Sequence, residues 1–314
     1  MIPSRRQFLS ILGGTAAAVA VGGALGSTDA FAAPPAQSFE FLFLTDTHLQ
    51  PELNASQGCD MAFKKARTMK ADFAIQGGDH VFDSMNVSKT RAVSLFDLYV
   101  KTEQDLGLKV YHTCGNHDCF GVSSKGAVPT GDQLYGKKMF EERFGRAYYS
   151  FDHKGVHFVV LDSVQPKVDQ TGYTGHIDDA QRTWLADDLG KIAPGTPVIV
   201  SVHIPLVTAF DSYVKMPADH RSDRGELSID NSEQVIDIFA KHNVLGVLQG
   251  HTHIWETVTW HGVPYTTGGA VSGNWWKGTR MGTPEGFTVV RVADGKMTTR
   301  YETYGFKTIA PENT

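Results

Sequence analysis

The chain has 314 residues, 41% of them hydrophobic and 20% charged, and a formal net charge of -5. Length alone allows one large domain or two, and the apolar fraction is that of a folded protein rather than a disordered one. The acidic balance, with no basic stripe, argues against a nucleic-acid polymer as partner, and three cysteines exclude a disulfide scaffold.

Residues 1–33 read as targeting sequence. Ser4-Arg5-Arg6-Gln7-Phe8-Leu9 carries a twin arginine, a weakly hydrophobic run follows from Ile11 to Leu25, and Ala30-Phe31-Ala32 is a small-x-small cleavage site. Gly13, Gly14, Gly22 and Gly23 dilute the run, and it is short for a membrane span. The expectation is a bacterial twin-arginine export signal. The product would be periplasmic or secreted, with the export machinery as a partner and no membrane attachment after cleavage. One folded domain over 34–314 then follows the Pro34-Pro35 linker.

Phe39 to Leu44 is short, apolar and aromatic, a buried strand. Gln57 to Lys70 has helical composition with Met61, Ala62, Ala66 and Met69 on one face, and Ala71 to Gln76 is a second strand. Ser88 caps a helix that runs to Leu106 and stops at Gly107; Lys109 to Thr113 is a third strand. Strand–helix–strand alternation of this kind makes an α/β fold with sites outside the carboxyl ends of the strands. Phe120 to Gly136 is a Gly/Ser/Thr-rich loop. Tyr148–Asp152 and Val156–Asp162 make a hairpin turning at His153-Lys154-Gly155. Asp178-x-x-Gln181 opens a helix as a capping box, with Trp184, Leu185 and Leu189 inward. Pro197 to Val202 is a strand, Pro205 to Asp230 a long loop, Glu233 to His242 a helix and Val244 to Leu248 a strand. From Trp255 the pattern reads as a β-meander of Glu256–Trp260, Val263–Thr267, Phe287–Val292 and Met297–Thr303. The architecture expected is two packed mixed β-sheets flanked by helices.

Five of these runs end in residues that bind metals: Asp46-Thr47-His48, Gly78-Asp79, Cys114-Gly115-Asn116-His117-Asp118, Ser201-Val202-His203 and Gly250-His251-Thr252-His253. Each piece alone is ordinary, because Gly-Asp makes turns and a lone histidine is usually structural. Together they supply imidazole, carboxylate and amide oxygen, the donors that suit Fe, Mn or Zn. Two ions about 3.5–4 Å apart need a bridging carboxylate against their repulsion, and Asp79 is the natural bridge. Asp46 and His48 alternate along the chain, so a bend must bring them together. His153, His157, His176, His220, His242 and His261 carry no such signal. Cys59, Cys114 and Cys119 read as buried or free thiols, with a Cys59–Cys119 bridge as the alternative.

These blocks, in this order, resemble the signature set of the calcineurin-like metallophosphoesterases. Phe158-Val159-Val160-Leu161-Asp162-Ser163, Gln181-x-x-Trp184-Leu185 and His203-Ile204-Pro205 add likeness to the branch of class III cyclic nucleotide phosphodiesterases and purple acid phosphatases. The resemblance implies a four-layer αββα sandwich. It also implies a ligand set of Asp46, His48 and His253 on a first ion and Asn116, His203 and His251 on a second, with Asp79 shared. Phe82 stands where the purple enzymes have a metal-binding tyrosine, so no iron–phenolate colour is expected. Cys114 replaces a proline common in relatives.

The activity so implied is hydrolysis of small organic phosphoesters, of phosphodiesters first and of phosphomonoesters as the alternative. Two ions would neutralise phosphoryl oxygens and lower the pKa of a water between them. His117 is expected to protonate the leaving alkoxide, beside Asn116, with Asp118 orienting its ring. His80, His112, Trp275, Trp276 and Arg280 are candidate substrate contacts, and Tyr173 is a further candidate without an assigned role. A non-catalytic scaffold is the rival reading; the full ligand set and His117 count against it.

Overall fold

The computed structural model describes residues 37–214 and 224–312. The twin-arginine segment, its cleavage site, the Pro34-Pro35 linker and His220 lie outside the described residues.

The chain begins with β1 (Phe39–Leu44), α1 (Ala55–Arg67), β2 (Ala74–Gln76), α2 (Lys89–Glu103) and β3 (Val110–His112). Next come α3 (Lys138–Phe144), the hairpin of β4 (Tyr149–His153) and β5 (Val156–Val160), the short pair β6 (Val164–Pro166) and β7 (Tyr173–Gly175), and α4 (Asp179–Leu189). β8 (Pro197–Ser201), α5 (Phe210–Tyr213), α6 (Arg224–Leu227), α7 (Ser232–Phe239) and β9 (Asn243–Gln249) follow. The chain closes with β10 (Trp255–Trp260), β11 (Val263–Gly268), β12 (Gly286–Ala293) and β13 (Lys296–Thr303).

Two mixed sheets result, ordered β13-β12-β1-β2-β3 and β10-β11-β9-β8-β5-β4. β1, β2 and β3 run parallel, as do β5, β8, β9 and β11, while antiparallel strands close each sheet. Side chains on β1 obey the strand period of two. Phe39, Phe41 and Phe43 enter an aromatic layer with Phe73, Ile75, Phe158, Ile199, Leu248, Val290 and Val292, drawn from both sheets. Leu42 and Leu44 belong instead to the cluster that includes Phe63 of α1 and Phe96 and Tyr99 of α2. In the layer between the sheets Phe41 stacks on Phe73 at 4.9 Å and meets Phe158 edge-on at 5.4 Å. Each such ring contributes about 1.5–3 kcal/mol by burial.

Several expectations need correction. The presumed meander is divided: β10 and β11 join the six-stranded sheet through β9, whereas β12 pairs with β1 and β13 in the other. The reason is burial. β12 is covered on both faces, as a central strand must be, while β10 is an open edge. Asp178 does cap α4, accepting from the Gln181 backbone N–H at 2.8 Å. The reciprocal half of the capping box is absent, because the Gln181 amide pairs with both peptide groups of Asp162 at 2.8 Å. That ties α4 to the chain end after β5, where the Ser163 hydroxyl accepts from Ile204 N–H beside His203. The 120–136 loop contains one 3-10 turn, and the 205–230 loop contains α5 and α6. α3 and the β6–β7 pair were not anticipated.

Candidate metal centre

Every candidate ligand block sits where a parallel strand stops: Asp46 and His48 after β1, Asp79 after β2, Asn116 after β3, His203 after β8, His251 and His253 after β9. The bend demanded of Asp46-x-His48 is achieved by left-handed backbone at both, with φ of 54° and 42°. Asp79 (54°), His251 (74°) and His253 (61°) share that conformation. Non-glycine residues there cost about 1–3 kcal/mol each, a strain typical of functional sites. The glycines make room. A Cβ on Gly78 would lie 2.3 Å from His203 Nδ1, one on Gly115 2.2 Å from Asp79 Oδ1, and one on Gly250 2.6 Å from Asp46 Oδ2.

The seven side chains converge. His253 Nε2 is 3.2 Å from Asp46 Oδ1 and 3.0 Å from His48 Nε2. His203 Nε2 lies 3.1 Å from Asn116 Oδ1, and His251 Nδ1 lies 2.9 Å from the same oxygen. Asp79 Oδ2 stands between the two groups, 3.4 Å from His48 Nε2 and 3.2 Å from His203 Nε2. Asp46, His48, Asp79, His203 and His253 are buried.

The outer nitrogens fix the protons. His48 Nδ1 donates to Phe82 O at 3.3 Å, His253 Nδ1 to Gly273 O at 2.6 Å and His203 Nδ1 to Gly77 O at 2.9 Å, while His251 Nε2 donates to Glu226 O at 2.7 Å. A carbonyl only accepts, so each neutral ring keeps its lone pair on the inward nitrogen. Lone pairs then face lone pairs: imidazole against imidazole in His48–His253, imidazole against amide oxygen at Asn116. Protons do not resolve this evenly. Burial pushes His48 well down, and His251 down to about 4. His203 is disfavoured by burial too, yet the Asp79 carboxylate lifts it to about 10. Burial opposes the Asp79 charge, but the surrounding imidazoles, His203 foremost, hold its carboxyl well below the usual range. Divalent cations would resolve the conflict, each taking lone pairs from several of these groups. The chemistry of the donor set therefore fits divalent metal ions. Asp46–His48–His253, His48–Asp79–His117 and Asp79–His203–His251 each present donor atoms within 4.8 Å of one another.

The other candidate residues are placed differently. Asp118 does not orient His117. Its carboxylate accepts from the backbone N–H groups of Asp79 (3.0 Å), His80 (2.9 Å) and Gly115 (2.9 Å) and from His80 Nδ1 (2.8 Å), so it fixes the Asp79 turn. The carboxylate facing His117 is Asp83, 3.9 Å from Nδ1. Sequence reasoning missed it, although it lies in the same block as Asp79. His117 is partly exposed, stands edge-on to His48 at 4.7 Å, and donates its backbone N–H to Asp79 Oδ1 at 2.8 Å.

His80 and His112 are paired with each other and lie largely out of solvent. His80 is fully buried behind the loop, packs against Phe144 and Tyr99, and meets His112 Nδ1 at 3.0 Å. His112 Nε2 in turn approaches Glu103 at 3.5 Å. Trp276 is also interior; its Nε1–H donates to His48 O at 3.0 Å and its ring fills the space over Gly58. Trp275 is partly exposed beside the centre, 4.3 Å from the His253 ring, with the Arg280 guanidinium 5.4 Å from its own ring. Arg280 Nε is buried without a hydrogen-bond partner among the described residues. Tyr173 borders His251 edge-on at 6.1 Å. Phe82 offers no phenol oxygen and lies edge-on to His48. All three cysteines are free, and the thiol that approaches Cys119 is Cys114, at 4.0 Å, rather than Cys59 on α1.

The family model described as calcineurin-like phosphoesterase matches residues 39–255. No curated protein sequence matches significantly. Among solved structures, a dimetal phosphatase from Danio rerio is similar at 16% identity and TM-score 0.59, over 87% of this chain and 99% of that one. PhoD is similar at 12% identity and TM-score 0.56, over 90% and 73%. GAP50, the anchor in the inner membrane complex of Plasmodium, is similar at 14% identity and TM-score 0.53, over 85% of each chain. At these identities the likeness is one of fold. The family match spans the strand ends from Asp46 to His253, and the chain belongs to the calcineurin-like phosphoesterases, metal-dependent hydrolases of phosphoric esters.

Proposed function

We propose that the chain hydrolyses small organic phosphoesters at a centre of two metal ions, with phosphodiesters of the cyclic-nucleotide-phosphodiesterase type preferred over phosphomonoesters. One observation carries the reading: four imidazoles, each anchored outward on a backbone carbonyl, turn their inward nitrogens onto the oxygens of Asp46, Asp79 and Asn116. Asp46, His48 and His253 would hold one ion and Asn116, His203 and His251 the other, with Asp79 between them. Fe, Mn and Zn all suit these donors. Bound there, the ions would supply Lewis-acid charge on the phosphoryl oxygens and a lowered pKa for water.

The protein's own residues do the rest. His117, with a ring nitrogen among the donors of His48 and Asp79 and Asp83 behind it, gives a proton to the leaving oxygen. Trp275 forms a wall beside His253, and the Arg280 guanidinium next to it is a cation suited to an anionic substituent. These two set which substituent the ester can carry. The Ser4–Leu9 twin-arginine segment supports action outside the cytoplasm, which favours external esters over cytoplasmic cyclic nucleotides.

A substrate panel tests this reading: bis-p-nitrophenyl phosphate, p-nitrophenyl phosphate and cyclic AMP, with protein of measured metal content. Faster turnover of the diester is expected. Faster turnover of the monoester overturns the diester preference, and no turnover by metal-loaded protein overturns the hydrolase reading in favour of a scaffold.

A further inference from the structure

Two of the three cysteines flank the residues that present Asn116 and His117. Cys114 and Cys119 bring their sulfurs to 4.0 Å, and each sulfur is 3.6 Å from the Gly115 carbonyl oxygen. The turn itself produces the approach. Asp118 N–H donates to Gly115 O at 3.3 Å and Cys119 N–H to Asn116 O at 3.2 Å, so the chain doubles back and sets residue 119 beside residue 114. Both side chains are fully buried. A disulfide has its sulfurs at about 2.05 Å, which leaves roughly 2 Å to close, within reach of side-chain rotation about Cα–Cβ.

We propose that Cys114 and Cys119 are a disulfide-forming site, and that the bond staples the loop carrying Asn116 and His117 to the geometry the centre requires. Two S–H bonds break and one S–S bond forms. The two protons and two electrons pass to a disulfide-class oxidant, such as oxidised glutathione, which leaves as two thiols. Both sulfurs are closed off from solvent in the folded loop, so exchange occurs while the loop is open, as the chain folds. The six-residue ring then limits the unfolded chain. In the folded protein it keeps the His117 N–H on Asp79 Oδ1 at 2.8 Å. Stapling is a property of this loop and does not depend on which ester is cleaved.

The test refolds the full chain with metal, once with oxidised glutathione and once with reductant, then maps thiols by alkylation and non-reducing peptide mass. The expected result is a Cys114–Cys119 link in the oxidised sample, Cys59 alkylated in both, and a thermal midpoint about 5 °C higher when linked. Cys59→Ser should keep the link and the shift; Cys119→Ser should lose both. Free Cys114 and Cys119 after oxidative refolding overturn the proposal, as does a link to Cys59. A link that lowers the midpoint overturns the stapling role. Since the mapping reads no activity, its failure is separate from failure of the phosphoesterase reading.

Discussion

Gly115→Ala puts the packing of the centre to the sharpest test. A Cβ at this position would stand 2.2 Å from both the backbone nitrogen and Oδ1 of Asp79, and 2.9 Å from its Cγ. Relief to ordinary contact means a shift of roughly 1 Å. Neither side can yield freely. Gly115 N–H is held by Asp118 at 2.9 Å, and that carboxylate also holds the Asp79 N–H at 3.0 Å. Asp79 itself already sits at φ 54°. Overpacking costs about 1–3 kcal/mol of stability, and misplacing a catalytic group by about 1 Å lowers rate on the order of 100-fold. Gly131→Ala is the control, because nothing lies within 4 Å of its added Cβ. Elemental analysis, thermal unfolding and hydrolysis of an aryl phosphoester should show Gly115→Ala depleted in metal, less stable and about 100-fold slower, with Gly131→Ala near wild type. A Gly115→Ala protein with full metal content and near-native rate refutes the argument.

Three further predictions concern the surrounding groups. His117→Ala should leave metal content unchanged and lower turnover of alkyl esters by about 10²–10⁴-fold, with less effect on aryl esters that leave without a proton; equal losses on both would remove its role as acid. Trp276→Phe deletes the donor to His48 O at 3.0 Å and should weaken metal retention against a chelator by about 10–100-fold. Burial raises the Glu103 carboxyl, with His80 and Tyr99 opposing it, so the fold favours the protonated acid. Its contribution is whole below the unfolded value and is lost as pH rises through the raised one. Thermal midpoints across that window should fall less steeply in Glu103→Gln than in wild type, and parallel curves would remove the group from the account.

The buried strands were legible because apolar runs such as Phe39–Leu44 are short and bounded, and the strand ends were legible because ligand-type residues follow each of them. Ser88 and Asp178 announced their helices by local chemistry, and both side chains cap as expected. The division of the last four strands between two sheets was not legible. Turn spacing there is regular, and only the two-sided burial of Gly286–Ala293 separates the pairs. Partners distant in sequence were equally hidden. Asp118 follows His117 directly, so adjacency suggested a pair, yet the turn swings Asp118 to the Asp79 backbone and leaves Asp83, 34 residues upstream of His117, to face the ring. His80 likewise adjoins a metal-type aspartate while pointing into an aromatic pocket. The donor set at the strand ends carries the hydrolase reading.

Metal stoichiometry of the purified protein bears most directly on that donor set. Elemental analysis after equilibration with Zn, Mn or Fe should find two ions per chain in wild type. Asp79→Ala should remain folded by circular dichroism while falling below two, because one carboxylate serves both positions. A wild-type protein that stays folded and metal-free in excess metal would contradict the account, as would an Asp79→Ala protein that still holds both ions.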